Sequence, residues 1–187
     1  MPAGLDVRWC RVPPGQDRRR IADDLLVAAL RDRGIRSPRI GRVCPWCGGP
    51  HGAARATDDG TSIAVAVSVS YAGGWAIAAT RAGDGAFAID AEPRTLDPGA
   101  QHRLRAALGD DTADAATWTR VEAALKADGR GLRVDPATVR LTRQGDSWLA
   151  HVPDHPGALL VRELPGPAEV VLSVATAAGA ASDRSTR

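Results

Sequence analysis

The stretch FAIDAEP, residues 87–93, carries two acidic side chains two positions apart in an otherwise apolar run. A β-strand is predicted here, because Asp90 and Glu92 then project from one face while Ile89 and Ala91 point into apolar surroundings. Two carboxylates on one face can bind a single divalent cation through their oxygens. A pair of solvated carboxylates at the end of a strand would give the same pattern.

The second informative stretch is WTRVEAALKADGRGL, residues 118–132. On a helix, Trp118, Glu122 and Lys126 follow one another at four-residue steps and therefore share one face. A carboxylate one turn before a lysine suits a metal-bound phosphate, with the carboxylate on the metal and the ammonium on phosphate oxygens. An ordinary surface ion pair, worth a few tenths of a kcal/mol, is the alternative interpretation.

The remainder of the chain predicts an α+β protein of two halves, residues 1–84 and 85–176, followed by a disordered tail at 177–187. A long loop between residues 35 and 61 carries a cysteine pair. The hydrophobic periodicity and the turn residues predict helices at 16–34, 96–108 and 113–128, and strands at 5–11, 62–70, 74–81, 86–91, 138–142, 148–152, 159–163 and 169–175.

Composition and charge exclude several classes of protein. The chain has 187 residues and a net charge of +2 with scattered arginines, which argues against binding to nucleic acid through phosphate neutralisation. The charged first twenty residues contain no signal-peptide core. The charge-free run at residues 63–80 contains Ser68, Ser70 and the pair Gly73-Gly74, so it predicts a β-hairpin rather than a membrane span. We therefore expect a cytoplasmic monomer.

Taken together, the two acidic segments resemble the signature of the Sfp-type 4'-phosphopantetheinyl transferases. In that signature a strand with Asp-x-Glu precedes a helix with Trp-x-x-x-Glu-Ala-x-x-Lys-x-x-Gly-x-Gly. Upstream, SVSYAGGWAIAAT at 68–80 resembles the family's Asn-Leu-Ser-His-Ser strand, and CPWCGGPHGAAR at 44–55 resembles a cysteine-bearing loop before its Gly-Lys-Pro motif. The resemblance covers residues 16–175 in the right order and implies a pseudo-twofold fold, with a sheet and a long helix in each half.

The resemblance also implies a reaction and its residues. In this family, magnesium held by three carboxylates binds the diphosphate of coenzyme A, and a carrier-protein serine attacks the β-phosphorus. By position, the metal ligands would be Asp90, Glu92 and Glu122, and Glu122 would also accept the serine proton. Lys126 would steady the leaving phosphate. The resemblance places Ser70 beside the diphosphate, and we expect Tyr71, Gly52 and Arg55 to be the remaining coenzyme A contacts of this chain.

This chain departs from the family at four positions, and each change removes a cation or cationisable group expected near coenzyme A phosphates. Tyr71 replaces a histidine, Ala53 and Val121 replace lysines, and Ala28 aligns with an arginine. Each such contact is typically worth about 1.5–3 kcal/mol, so losing several without compensation would weaken coenzyme A binding by orders of magnitude. Substitutes could come from Arg55, Arg31 and the arginines at 18–20.

Two functions therefore remain open at this stage. One is a divergent transferase whose cations have been rearranged, acting with magnesium on an acyl or peptidyl carrier protein. The other is a protein of transferase fold, with an eroded coenzyme A site, that has been recruited to another reaction or to ligand or carrier binding in a biosynthetic pathway. A purely structural role, unrelated to carrier proteins, is a third and weaker interpretation.

The cysteine loop gives a separate, weaker signal. Cys44, Cys47 and His51 have the spacing of a zinc knuckle, and Cys10 could supply a fourth ligand if the first strand lay nearby. Free cysteines in a tight Gly-Pro turn explain the same residues without any metal.

Overall fold

Two antiparallel sheets and three helices account for most of the protein in a computed structural model that describes residues 4–178. The first sheet has the strand order β1-β6-β5 and the second has the order β7-β11-β10-β9-β8. A third, small sheet has the order β2-β3-β4. The elements are β1 Leu5–Arg11, α1 Arg18–Asp32, β2 Pro38–Arg42, β3 Ala54–Asp58, β4 Thr61–Ser62, β5 Val65–Ala72, β6 Trp75–Ala82, β7 Phe87–Pro93, α2 Pro98–Leu108, α3 Ala115–Asp128, β8 Arg140–Gln144, β9 Ser147–His151, β10 Leu159–Leu164 and β11 Val170–Ala177.

The two larger sheets share one connectivity. In the first, β1 is followed by helix α1 and pairs with β6, which in turn pairs with β5. In the second, β7 is followed by α2 and α3 and pairs with β11, which in turn pairs with β10. Helix α1 packs on β6, and α3 packs on β7 and β11. The fold is thus α+β, while the division of the chain at residue 84 stays a prediction.

Strand β7 separates two hydrophobic cores because its side chains alternate between them. Ile89 and Ala91 belong to a core shared with β5, β6, β10 and β11, as the sequence predicts. The opposite face of β7 lies against α3, whose buried residues form a second core with β9, β10 and β11. Asp90 and Glu92 lie on this second face, beside the helix that carries Glu122.

The two sheets meet at β5 and β7 through serine hydroxyls. The Ile89 amide donates a hydrogen bond to Ser68 Oγ at 3.0 Å, and the Ala91 amide donates to Ser70 Oγ at 3.1 Å. These buried amides face away from β11 and would otherwise have no acceptor, which is costly inside a protein. The hydroxyls of β5 therefore replace a backbone ladder at the junction of the sheets.

Most predicted elements are confirmed to within two or three residues at either end, but the long loop is wrong. Residues 35–61 contain β2, β3 and β4, which pair as a small antiparallel sheet. Only Pro38 and Ala56 are buried on these short strands, so the hydrophobic alternation is too weak to recognise. At the other end, β11 continues to Ala177, and residues 179–187 of the predicted tail lie outside the described residues.

Within residues 4–178, no helix combines the length and the apolar character needed to cross a membrane.

We predict that Ser68→Ala lowers the free energy of unfolding by about 1–3 kcal/mol, because the buried Ile89 amide loses its acceptor. Urea unfolding followed by circular dichroism measures the change. Ser62→Ala is the matched control, since Ser62 is exposed on β4 and should change stability by less than about 0.5 kcal/mol. Equal effects of the two substitutions would show that the serine does not hold the junction.

Candidate metal centre

Three carboxylates from two elements meet where α3 crosses β7. Asp90 and Glu92 project from the same face of the strand, and Glu122 comes from the middle of the helix. One carboxylate oxygen from each lies within 4.8 Å of the other two. The three predicted metal ligands are therefore brought together.

Asp90 is the most buried member of the group, with 2% of its surface exposed. Its Oδ1 accepts hydrogen bonds from Ser70 Oγ at 3.1 Å and from Lys126 Nζ at 2.6 Å. Its Oδ2 is buried without a partner among the described residues. Burial raises the pKa of Asp90 to about 7; the Lys126 ammonium opposes this rise and the Glu122 carboxylate adds to it.

The unpartnered oxygen indicates that these residues fit a divalent cation. A buried carboxylate oxygen with no hydrogen bond is expensive unless something else binds it. The three carboxylates supply only oxygen ligands, which is the donor set that magnesium prefers. When all three acids are ionised and Lys126 is protonated, three negative charges face one positive charge, and one divalent cation would neutralise the remainder.

Lys126 lies among the acids, one helical turn after Glu122. Its ammonium is 2.6 Å from Asp90 Oδ1 and 3.3 Å from Glu122 Oε1. Burial disfavours the charged amine, but the two carboxylates outweigh it and raise the pKa of Lys126. The surface ion pair considered as an alternative is therefore only part of the arrangement, because Lys126 also bonds the buried Asp90.

Trp118 covers the outer side of the acids, as the four-residue spacing predicts. Burial raises the pKa of Glu92 and the Glu122 carboxylate raises it further, whereas a hydrogen bond from the Trp118 side chain lowers it. Glu92 and Trp118 also line a cavity of about 380 Å³ that extends to Arg103 on α2. The acids thus border an open space on this side.

A polar contact that sequence reasoning missed fixes α3 against the sheet. Thr119 Oγ1 and Ser173 Oγ lie 2.9 Å apart, and both residues are completely buried. Ser173 pairs with Asp90 across β7 and β11. The contact therefore fixes the position of α3, and with it Glu122, along the strand that carries Asp90. The only signal in the sequence is a polar residue on each of two otherwise apolar faces.

On the other side, Lys126 lines a cavity of about 430 Å³ that also contains Arg42, Arg130 and Arg133. Sequence reasoning missed these arginines. Arg42 forms a two-pronged ion pair with Asp23, at 2.6 and 2.8 Å.

The other two arginines of this cavity lie after α3. Arg130 bonds Asp128 at 2.7 Å. Arg133 makes no ion pair within residues 4–178 and stacks on Trp46, with its guanidinium carbon 3.9 Å from the ring centroid. Arg133 is therefore the cation of this cavity best able to bind an added anion.

Of the residues expected to contact coenzyme A, only Gly52 and Lys126 line this cavity, and Tyr71 lines a separate one. A Cβ at position 52 would lie 2.3 Å from the Val43 carbonyl oxygen, so only glycine fits. Arg55 lines an adjoining cavity of about 590 Å³. The hydroxyl of Ser70 bonds Asp90 and the Ala91 amide, which makes Ser70 a support for the acids.

The structure shows what surrounds two of the positions at which this chain departs from the family, Tyr71 and Val121. The guanidinium carbon of Arg18 lies 4.8 Å from the ring centroid of Tyr71, so a cation stands beside the position where the family has histidine. Val121 is buried in the core between α3 and the sheet, where a lysine would be desolvated. Ala53 lines the cavity, and Ala28 lies on the exposed face of α1.

The cysteine loop forms one wall of the same cavity. Cys44 and His51 line it, and Cys47 Sγ lies 2.9 Å from His51 Nε2. Amide hydrogen bonds from Trp46 and Cys47 lower the pKa of Cys44. Cys10 is an exposed residue of β1 whose thiol contacts the Arg11 carbonyl, and it does not belong to the group, so the fourth ligand considered from the sequence is wrong.

The sequence matches no protein-family model and has no significant match among curated proteins. The resemblance to the transferases therefore rests on the sequence motifs alone.

We predict that magnesium binds about tenfold more weakly at pH 6 than at pH 8. Asp90, with a pKa of about 7, must lose its proton to coordinate the ion, so the proton competes increasingly below pH 7. Isothermal titration with magnesium measures both affinities. Asp90→Asn should abolish binding, whereas Asp146→Asn, at an exposed turn, should leave it unchanged. Equal affinities at the two pH values would contradict this prediction.

Proposed function

We propose that the protein transfers 4'-phosphopantetheine from coenzyme A to a serine of an acyl or peptidyl carrier protein, using magnesium. The observation that carries the proposal is the convergence of Asp90, Glu92 and Glu122, with one buried oxygen unpartnered, beside a cavity lined by cations. The shared connectivity of the two sheets supports it, because the resemblance implies two similar halves that meet at this cavity. On this proposal the protein is a holo-[acyl-carrier-protein] synthase type of enzyme.

Each residue of the centre has a role in the proposed reaction. Magnesium, held by Asp90, Glu92 and Glu122, would bind the diphosphate and offset its charge. Glu122 accepts the proton of the carrier serine as the serine oxygen bonds to the β-phosphorus. The bond from this phosphorus to the bridging oxygen breaks, and 3',5'-bisphosphoadenosine leaves. Lys126, one turn further along α3, donates to the oxygen on which negative charge develops.

The cavity beside Lys126 has the cations that a nucleotide diphosphate requires. Arg133 is available because its guanidinium stacks on Trp46 and has no acidic partner in the described part of the chain. The charges of Arg42 and Arg130 are neutralised by Asp23 and Asp128, so these two arginines would mainly orient the bound diphosphate. On this proposal Arg133 would stand in for the family cation missing at position 53, and Arg18, which lines a separate cavity with Tyr71, would stand in for the one missing at position 71.

The carrier protein would approach from the opposite side, through the cavity at Glu92 and Trp118. Leu96, Leu104 and Ala107 give this cavity an apolar wall, and Arg103 lies at its edge. An acidic carrier helix could contact Arg103 while its serine reaches the acids. The two substrates would then meet at the carboxylates from different directions.

We expect apo carrier protein to gain the mass of phosphopantetheine when it is incubated with this protein, magnesium and coenzyme A. Glu122→Gln should slow the gain by about 10²–10⁴-fold, because the proton acceptor is lost. Glu163→Gln on β10 is the matched control and should act at the wild-type rate. Mass spectrometry of several carriers measures the transfer. Failure of the folded wild-type protein to modify any carrier would reject the proposal.

A second candidate is a transferase-like protein that no longer binds the 3'-phosphate of coenzyme A. Such a protein would catalyse another reaction, or would bind a carrier protein without transfer. This candidate is favoured by the ion pairs that already engage Arg42, Arg130 and Lys126. A ligand phosphate would have to compete with these internal carboxylates. Comparison of coenzyme A with its 3'-dephospho form separates the two candidates.

For a working transferase, we predict that coenzyme A binds about tenfold or more tightly than 3'-dephospho-coenzyme A. One charge-assisted phosphate contact is worth at least this much, and Arg133 is the cation most available to make it. Arg133→Ala should remove the preference, whereas Arg140→Ala, an exposed control on β8, should retain it. Isothermal titration measures each affinity. Equal wild-type affinities for the two ligands would support the second candidate.

A further inference from the structure

The cysteine loop contains a second group of metal-ligating side chains, chemically unlike the acids. Cys44, Cys47 and His51 each offer one atom, and the three atoms lie within 4.8 Å of one another. Two sulfur atoms and one imidazole nitrogen are the ligands of zinc, whereas the three carboxylates supply the oxygen ligands of magnesium. The two groups are therefore expected to bind metals of different classes.

We infer that Cys44, Cys47 and His51 bind one zinc ion, which fixes the loop between β2 and β3. Cys47 Sγ and His51 Nε2 already lie 2.9 Å apart, close enough to share a proton. In a tetrahedral zinc site these two atoms would be about 3.5 Å apart, so the zinc ion would displace the proton and the two side chains would separate slightly. Within residues 4–178 no further His, Cys, Asp or Glu joins the group, so water would complete a tetrahedral site.

The backbone of the loop supports the three ligands. The Gly49 amide donates to Cys47 Sγ at 3.4 Å, and the Gly48 amide donates to the Cys44 carbonyl at 2.9 Å. Amide hydrogen bonds to sulfur stabilise the thiolates that a metal needs and orient them towards it. The loop is also closed on itself, because the Cys44 amide donates to the Gly49 carbonyl at 2.8 Å.

Two glycines make the arrangement possible. A Cβ on Gly49 would lie 3.2 Å from His51 Nε2 and 3.3 Å from Cys47 Sγ, against two of the three ligand atoms. Gly48 has a φ of +70°, a left-handed conformation that brings the chain back towards Cys44. The sequence Cys-Gly-Gly therefore leaves the space between the ligands open.

The zinc ion would act on the cavity through Trp46. This side chain is 64% exposed, and its ring nevertheless supports the guanidinium of Arg133. Fixing Cys44 and Cys47 on either side of Trp46 would hold the ring in place. The inference concerns the metal alone and does not depend on the proposed transfer reaction.

The test uses the full-length protein purified from zinc-supplemented cells, dialysed, and analysed for metal and for reactive thiols. We expect about one zinc per chain and one reactive thiol, that of Cys10, among the three cysteines. A chelator should expose the other two thiols. Cobalt added to the zinc-free protein should give the visible absorption of tetrahedral thiolate coordination.

Matched variants separate this site from the rest of the chain. Cys47→Ser and His51→Ala should each lower zinc affinity by more than about 100-fold, since losing only a hydrogen bond that orients a ligand already costs about 10–100-fold. Cys10→Ser and Asp90→Asn should retain zinc, and circular dichroism checks that each variant folds. Three reactive thiols in the zinc-exposed wild-type protein, a disulfide between Cys44 and Cys47, or equal zinc loss in Cys10→Ser would overturn the inference.

Discussion

The buried carboxylate of Asp90 is the constraint on which the rest of the structure depends. An ionised carboxylate in the interior is costly unless hydrogen bonds and an opposite charge compensate for the lost water. Here Ser70 of β5 and Lys126 of α3 supply them, and both bond the same oxygen, Oδ1. Because these partners belong to the other sheet and to the packed helix, the same contacts that satisfy Asp90 also join the two sheets and orient α3.

This arrangement trades stability for a preformed site. Three carboxylates around one ammonium repel one another, and one buried oxygen has no partner among the described residues. A merely structural ion pair would be more stable with one acid and one base. The surplus negative charge is useful only if something positive and divalent occupies the space, so the proposed magnesium site explains a feature that the fold alone would disfavour.

Sequence patterns predicted which residues of the centre share a face within each element, whereas the meeting of the strand with the helix was implied only by the resemblance. The two-residue spacing of Asp90 and Glu92, and the four-residue spacing from Trp118 to Lys126, follow directly from strand and helix geometry. The position of Arg133 beneath Trp46 could not be predicted, since it requires the turn after α3 to approach a loop far away in the chain. Ser70 was assigned to phosphate from the resemblance, yet its hydroxyl is bonded to Asp90, a pairing that only tertiary structure reveals.

On the proposed function, the cations of the cavity would bind phosphate without the lysine that the resemblance leads us to expect at position 53. The cation at Arg133 comes from the turn after α3 instead of from residue 53 on the loop, and the loop contributes Trp46 as a stacking surface. A stacked guanidinium loses less conformational freedom on binding an anion than an extended lysine does. The loop therefore needs to be rigid rather than charged, and three metal-ligating side chains around Trp46 would provide that rigidity. If the proposed function holds, the cysteine group would thus support the cation that serves in place of the expected lysine.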